Sequence, residues 1–295
     1  MKEYKMDKKK VSLVLGSGGA RGYAHIGVIE ELERSSYEIV SISGSSMGAL
    51  IGALYACNKI DEFKEWVLGL NGMDLTTWLD ISWDNRSGIF RGIKLMEKLA
   101  TMIGDKNIED LPIKYTAVAT DLNRNKEVWF QHGNLLEAVR ASISIPSLFT
   151  PIQTDGMLLV DGGVLNPLPV APTMSDHSDI IIAVNLYADR QNFDDSLPII
   201  EIEKESTIKS MIDNVIQKTQ GILSDDEIAS IPVFKVLEKT LDSMQRTLIS
   251  YHLGNYPPDV LINISMEVCG TFDFHKAYTT IEAGRRATRN TLLAF

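Results

Sequence analysis

Three short segments of this 295-residue chain carry residues whose types and spacing could do chemistry. Gly44-Ser45-Ser46-Met47-Gly48 fits the pattern Gly-x-Ser-x-Gly. A serine in that frame, set on a sharp strand-to-helix turn, projects its hydroxyl above a sheet, and the tightness of the turn requires glycine on both sides. A helix starting there adds the positive end of its dipole beside the hydroxyl. The second segment is Asp161-Gly162-Gly163. Aspartate before glycine is ordinarily a turn former. With two glycines allowing close backbone approach, it could also serve as a base for Ser46. The two residues are 115 positions apart, so only the fold can bring them together.

The third segment is the turn Gly16-Ser17-Gly18-Gly19-Ala20-Arg21-Gly22. A dinucleotide fingerprint would need glycine where Arg21 stands, and a phosphate loop would need Gly-Lys-Ser/Thr. As an oxyanion hole the turn is chemically sound, because backbone N–H groups at a helix start can face a developing alkoxide. A plain tight connection is the bland alternative. Arg21 either supports the loop by its charge or makes a surface ion pair.

A catalytic triad would need histidine. The order Ser46, Asp161, His275 matches that of α/β-hydrolases, but that fold places its serine after several strands and here it follows the second. His25, one turn beyond the glycine loop, reads as a packed histidine, so a triad is not expected. The five histidines are scattered and the two cysteines, Cys57 and Cys269, lack ligand spacing. We therefore expect no metal and no cofactor, and two reduced, buried thiols.

The elements that must position these groups follow from periodicity. Val11–Leu15 reads as a buried parallel strand, followed by a helix through Ile26, Ile29 and Leu32. A second strand, residues 38–43, leads through the serine turn into a helix over residues 49–57. This βαβα start predicts an α/β fold with a mainly parallel sheet covered by helices. Residues 61–110 read as mostly helical and hold Trp66, Trp78 and Trp83, which fit either an acyl pocket or the core. Further strands are expected at 115–120, 128–130, 157–160, 180–186 (a central one) and 260–264. Helices are expected at 134–142 and from Phe274 onward. Residues 187–230 contain an acidic loop and an amphipathic helix with Ile208, Met211, Ile212, Val215 and Ile216, whose stripe should pack on the body. No linker divides the chain, so residues 11–295 are expected to form one domain behind a flexible basic tail, residues 1–10.

Composition narrows the function classes. With 44% hydrophobic residues and a net charge of −10, the chain suits a globular enzyme and not a nucleic-acid binder. The five lysines within Lys2–Lys10 read as a solvated terminus, with peripheral contact to anionic lipid as the alternative. Neither a signal peptide nor a membrane span is evident, which points to the cytoplasm. Oligomeric state is not written in the sequence.

Taken together, Gly16–Gly22 with His25 and Gly27, Gly44–Gly48, Ala117–Asp121, Val139-Arg140-Ala141-Ser142 through Pro146, and Asp161–Pro169 resemble the patatin-like phospholipase family. The likeness is strongest to its bacterial branch, similar to the neuropathy-target-esterase catalytic domain. It covers roughly the first 190 residues and the segment after Pro257, and is weakest over 190–250. The resemblance implies a three-layer patatin-like fold and a Ser46–Asp161 dyad without histidine. It also implies an oxyanion hole at Gly18, Gly19 and Arg21, with Gly16, Gly22, Gly44, Gly48, Gly162 and Gly163 as supporting motif positions. Ser17 departs from the family's usual glycine without removing backbone donors. The implied substrate is a lipid acyl ester, a phospholipid or lysophospholipid, hydrolysed through an acyl-enzyme. An acyltransferase using the same serine, or a nucleotide-binding regulatory module on the first loop, are the competing readings.

Overall fold

The structure is a computed structural model that describes residues 8–70, 92–146, 148–189 and 233–295. Among these residues the strands are β1 (Lys9–Leu15), β2 (Tyr37–Ser45), β3 (Lys114–Asp121), β4 (Lys126–Phe130), β5 (Ile152–Thr154), β6 (Met157–Asp161), β7 (Ile180–Ala188) and β8 (Val260–Ser265). The helices are α1 (Ala24–Arg34), α2 (Met47–Ala56), α3 (Ile60–Gly69), α4 (Ile93–Ile103), α5 (Leu135–Ser142), α6 (Val233–Asn255) and α7 (Ala277–Ala294).

The strands form one sheet in the order β5-β6-β3-β2-β1-β7-β8, with β4 also paired to β3. The run from β3 to β8 is parallel, while β4, β5 and β6 are antiparallel additions. Helices flank this mainly parallel sheet, as the βαβα start predicts. Its apolar strands supply the core: Leu13, Leu15, Ile42, Ile182 and Ile262 are fully buried.

One feature of the register brings the candidate residues together. β4 lies along one edge of β3, so β2 and β6 must share the other edge. β2 occupies that edge as far as the pair Ser45–Val118, and antiparallel β6 takes over at the pair Asp161–Ala119. The two strands therefore meet end to end on neighbouring residues of β3. Ser46, one residue beyond β2, lies next to the last residue of β6.

The close approach of α1 and α7 explains two glycines. A Cβ at Gly27 would collide with the Ile281 carbonyl, and one at Gly284 with the Ala24 carbonyl.

Several expectations need correction. Lys9 and Lys10, expected in the tail, belong to β1, and the Lys10 amide donates to Asp179 Oδ2 at 2.8 Å. β7 is interior but one place from the β8 edge, and β2 is the central strand. The sequence reading also passed over β5 and the 23-residue helix α6. Trp78, Trp83 and the stripe from Ile208 to Ile216 lie outside the described residues.

Candidate active site

Ser46 sits at the junction of β2 and α2 with φ 55° and ψ −125°, a left-handed conformation that serine adopts only under constraint. The constraint is visible. A Cβ at Gly44 would meet the Ala49 amide nitrogen at 2.5 Å, and one at Gly48 would run into the Leu15 carbonyl. The turn closes only with glycine at both positions. The Ser46 amide donates to Ser142 Oγ at 3.0 Å, and that hydroxyl donates to the Val118 carbonyl at 2.6 Å.

The Ser46 hydroxyl donates to Asp161 Oδ2 at 2.5 Å. Both residues are buried, each about 3% exposed, so little water screens the contact. Asp161 Oδ1 accepts from the Gly163 amide at 2.7 Å, and the Asp161 amide donates to the Ser144 carbonyl at 2.9 Å. Burial pushes the Asp161 carboxyl up to about 7; hydrogen bonds from Ser46 and Gly163 pull it back only part of the way. A Cβ at Gly162 would strike the Val118 carbonyl, so this position must lack a side chain for β6 to end beside Ser46.

The glycine loop borders the same space as Ser46. Gly19 and Ser46 line two cavities in common. Gly19 has φ 55°, and a Cβ there would strike the Thr271 carbonyl, which accepts from the Ala20 amide at 2.8 Å. Ser17 donates its amide to the Pro167 carbonyl and Gly16 donates to Val184, while the buried amides of Gly18 and Gly19 have no hydrogen-bond partner among the described residues. Buried N–H groups are rarely left in that state.

The Arg21 side chain is buried, about 4% exposed. Its guanidinium pairs with both Asp242 oxygens (3.3 and 3.1 Å) and with the Cys269 carbonyl (3.0 Å), and its amide donates to the Gly18 carbonyl. The guanidinium bonds tie the loop to α6 and to the segment before α7, so Arg21 braces the loop. Gly22 allows the Met47 side chain to pack against it.

No histidine is hydrogen-bonded to Ser46 or Asp161 among the described residues. His25 Nε2 contacts the Gly16 carbonyl at 2.8 Å, and complete burial lowers its pKa to about 4, with that carbonyl raising it only in part. A neutral His25 pins the loop. His252 bonds the Leu165 carbonyl. Cys57 and Cys269 are free and buried, as expected.

Ser46 stands at the boundary of two dissimilar chambers. One is walled by Met47, Leu50, Phe63, Trp66, Leu95 and Phe149 and is almost wholly apolar. The other brings Ser17, Asp161 and Tyr187 together with Glu238, Asp242 and Gln245 of α6. Trp66 is thus pocket wall as well as packing, its ring tilted at 54° to that of Phe63 with centroids 5.6 Å apart.

Sequence reasoning missed the roles of Ser142 and Ser144, although it singled out their segment. It missed α6 entirely, although the spacing of Leu237, Leu241, Leu248 and Ile249 carries a helical period.

The family model for patatin-like phospholipases matches residues 13–174, which include Ser46, Asp161 and the glycine loop. The chain belongs to the patatin-like phospholipase family. Consistent with that, an uncharacterised NTE family protein of Mycobacterium tuberculosis is 37% identical over 97% of this chain and 92% of its own length. Patatin-like phospholipase domain-containing protein 7 of Mus musculus is 33% identical over 63% of this chain, which spans 14% of that larger protein. The fold is also that of VipD from Legionella pneumophila, with a TM-score of 0.55, 15% identity, and coverage of 98% of this chain and 67% of that one. Membership supports lipid acyl hydrolysis as the general activity of this patatin-like chain. No helix among its described residues is long and apolar enough to cross a membrane.

Proposed function

We propose that the protein is a serine hydrolase of lipid acyl esters, of the phospholipase or lysophospholipase type, working through a Ser46–Asp161 dyad and a covalent acyl-enzyme. The observation that carries this reading is the 2.5 Å contact from the Ser46 hydroxyl to a buried carboxylate whose pKa is raised to about 7. An ordinary carboxylate is too weak a base for serine; one raised toward neutrality is a competent proton acceptor.

In this mechanism Asp161 takes the Ser46 proton as the oxygen attacks the ester carbonyl, and the amides of Gly18 and Gly19 receive the oxyanion. One such donor is worth about 3–4 kcal/mol of transition-state stabilisation. Asp161 then protonates the leaving alcohol and later activates the water that cleaves the acyl-enzyme. The apolar chamber suits the acyl chain.

The test is turnover of an aryl ester and of a lysophospholipid by wild type, Ser46→Ala and Asp161→Asn. Folded Asp161→Asn is expected to lose at least about 100-fold in kcat, the lower range for removal of a general base. Full turnover by either folded variant would refute the dyad.

A further inference from the structure

A third cavity lies outside the site described above. It is a groove of about 830 Å³, within the size range of small-molecule sites. Among the described residues it shares no lining residue with either chamber beside Ser46. One wall is a face of α4, where Met96 and Ala100 stand one turn apart. Phe130 of β4, Leu136 of α5, Ile152 of β5 and Leu159 of β6 supply most of the remainder. So apolar a lining suits an alkyl chain, which leaves water on burial.

Among the described residues this lining holds a single cation, Arg140 of α5. The residue is half-buried. Its Nη1 donates to Ser144 Oγ at 2.6 Å, and its Nη2 donates to the Thr150 carbonyl and hydroxyl at 3.0 and 3.1 Å. All three acceptors are neutral. Among the described residues Nε has no hydrogen-bond partner and no carboxylate pairs with the guanidinium. By contrast, Arg21 meets Asp242 and Arg285 meets Glu30. Burial lowers the pKa of Arg140 from its ordinary value, whereas Glu31 raises that of Arg289. Glu97 and Glu137 also line the groove, but both are exposed to solvent and neither pairs with Arg140 among the described residues. A partly desolvated charge without a counterion is costly, so an unmatched guanidinium beside an apolar groove calls for an anion.

We propose that this groove is a second lipid site, which takes a long-chain fatty acid with its carboxylate on the free edge of Arg140 and its alkyl chain along α4. One cation matches one carboxylate, and a guanidinium gives that head group a charge-assisted hydrogen bond. The groove adjoins the dyad through α5. Ala141 lines it, and the next residue, Ser142, accepts from the Ser46 amide at 3.0 Å. A fatty acid is also what the proposed hydrolysis releases, although the assignment does not depend on that reading.

The experiment titrates the protein with a fluorescent polyene fatty acid, parinaric acid, and with the alcohol of the same chain. The wild type is expected to bind the acid at least about tenfold more tightly than the alcohol, the value of one charge-assisted hydrogen bond. Arg140→Gln should erase that preference. Ala100→Trp, at an exposed position whose enlarged side chain fills the groove, should weaken both ligands by at least about tenfold. Thermal unfolding confirms that each variant is folded, and Ala100→Trp carries the test of location by itself should Arg140→Gln fail to fold. Protein labelled at Ser46 with a long-chain alkyl fluorophosphonate, which fills the apolar chamber, should still bind the acid. Equal affinity for acid and alcohol in the wild type would overturn the assignment, as would tighter binding of a lysophosphatidic acid of the same chain length. Unchanged acid binding by Ala100→Trp, or its loss on labelling, would place the acid elsewhere and overturn it too. Absence of labelling would count against the hydrolase reading alone, since the Ala100→Trp comparison needs no reactive serine.

Discussion

At Asp161 a single property, burial, sets both a catalytic and a stability prediction. The proposed base must be ionised, so activity is expected to rise with pH and level off above about 7, following the raised carboxyl. The same shift opposes folding at high pH. An unfolded chain releases this proton near pH 3.9, and the folded chain holds it to about 7, so between those values the folded state carries the extra proton. Stability is therefore lost as pH rises through that window. Asp161→Asn, which removes the charge, should be more stable than wild type at pH 8 by a few kcal/mol, and the difference should vanish near pH 4. Denaturant unfolding at the two pH values measures this directly; a variant less stable at pH 8 would mean that the carboxylate is better solvated than its surroundings indicate. The identities of Ser46 and Asp161 were legible in the sequence because glycines frame both. The partner of Arg21 was not, because Asp242 is 221 positions away and an arginine announces its charge but not its counterion.

Among the elements, those with clean periodicity were legible. Val11–Leu15, the serine turn with its helix, and the helix capped by Asn134, whose side chain accepts from the Glu137 amide at 3.1 Å, all lie close to their expected places. β5 was not, since three residues, two of them exposed, carry no pattern. α6 was hidden by its many charged and polar positions, and with it went half of the polar chamber. The Arg21–Asp242 pair, at 4% and 16% side-chain exposure, is the polar tie between this helix and the glycine loop. Removing one member of a buried pair leaves the other uncompensated, at a cost of about 3–5 kcal/mol, whereas an apolar pair can be nearly neutral. Arg21→Met should therefore lower the unfolding midpoint markedly, and Asp242→Leu added to it should restore most of the loss. A double-mutant cycle with no coupling would show that the helix docks through its apolar contacts alone.

For the molecule as a whole, the α/β class followed from strand–helix alternation, but the meeting of β2 and β6 on one edge of β3 did not. That register depends on pairings between residues 38 to 73 positions apart, and it is what brings Ser46 and Asp161 together. The overall charge of −10 carries a separate expectation. Lipid substrate should be engaged through apolar surface, so cosedimentation with vesicles should not increase when anionic lipid is added. An increase would show that the lysines of Lys2–Lys10 outweigh the charge of the remainder. The central claim is that Ser46 is an activated nucleophile. Intact mass after exposure to a fluorophosphonate tests it most directly, with Ser46→Ala as the control. The expected result is one stoichiometric adduct on wild type and none on the variant. Folded wild type that takes up no adduct, or a Ser46→Ala protein that still does, would contradict it.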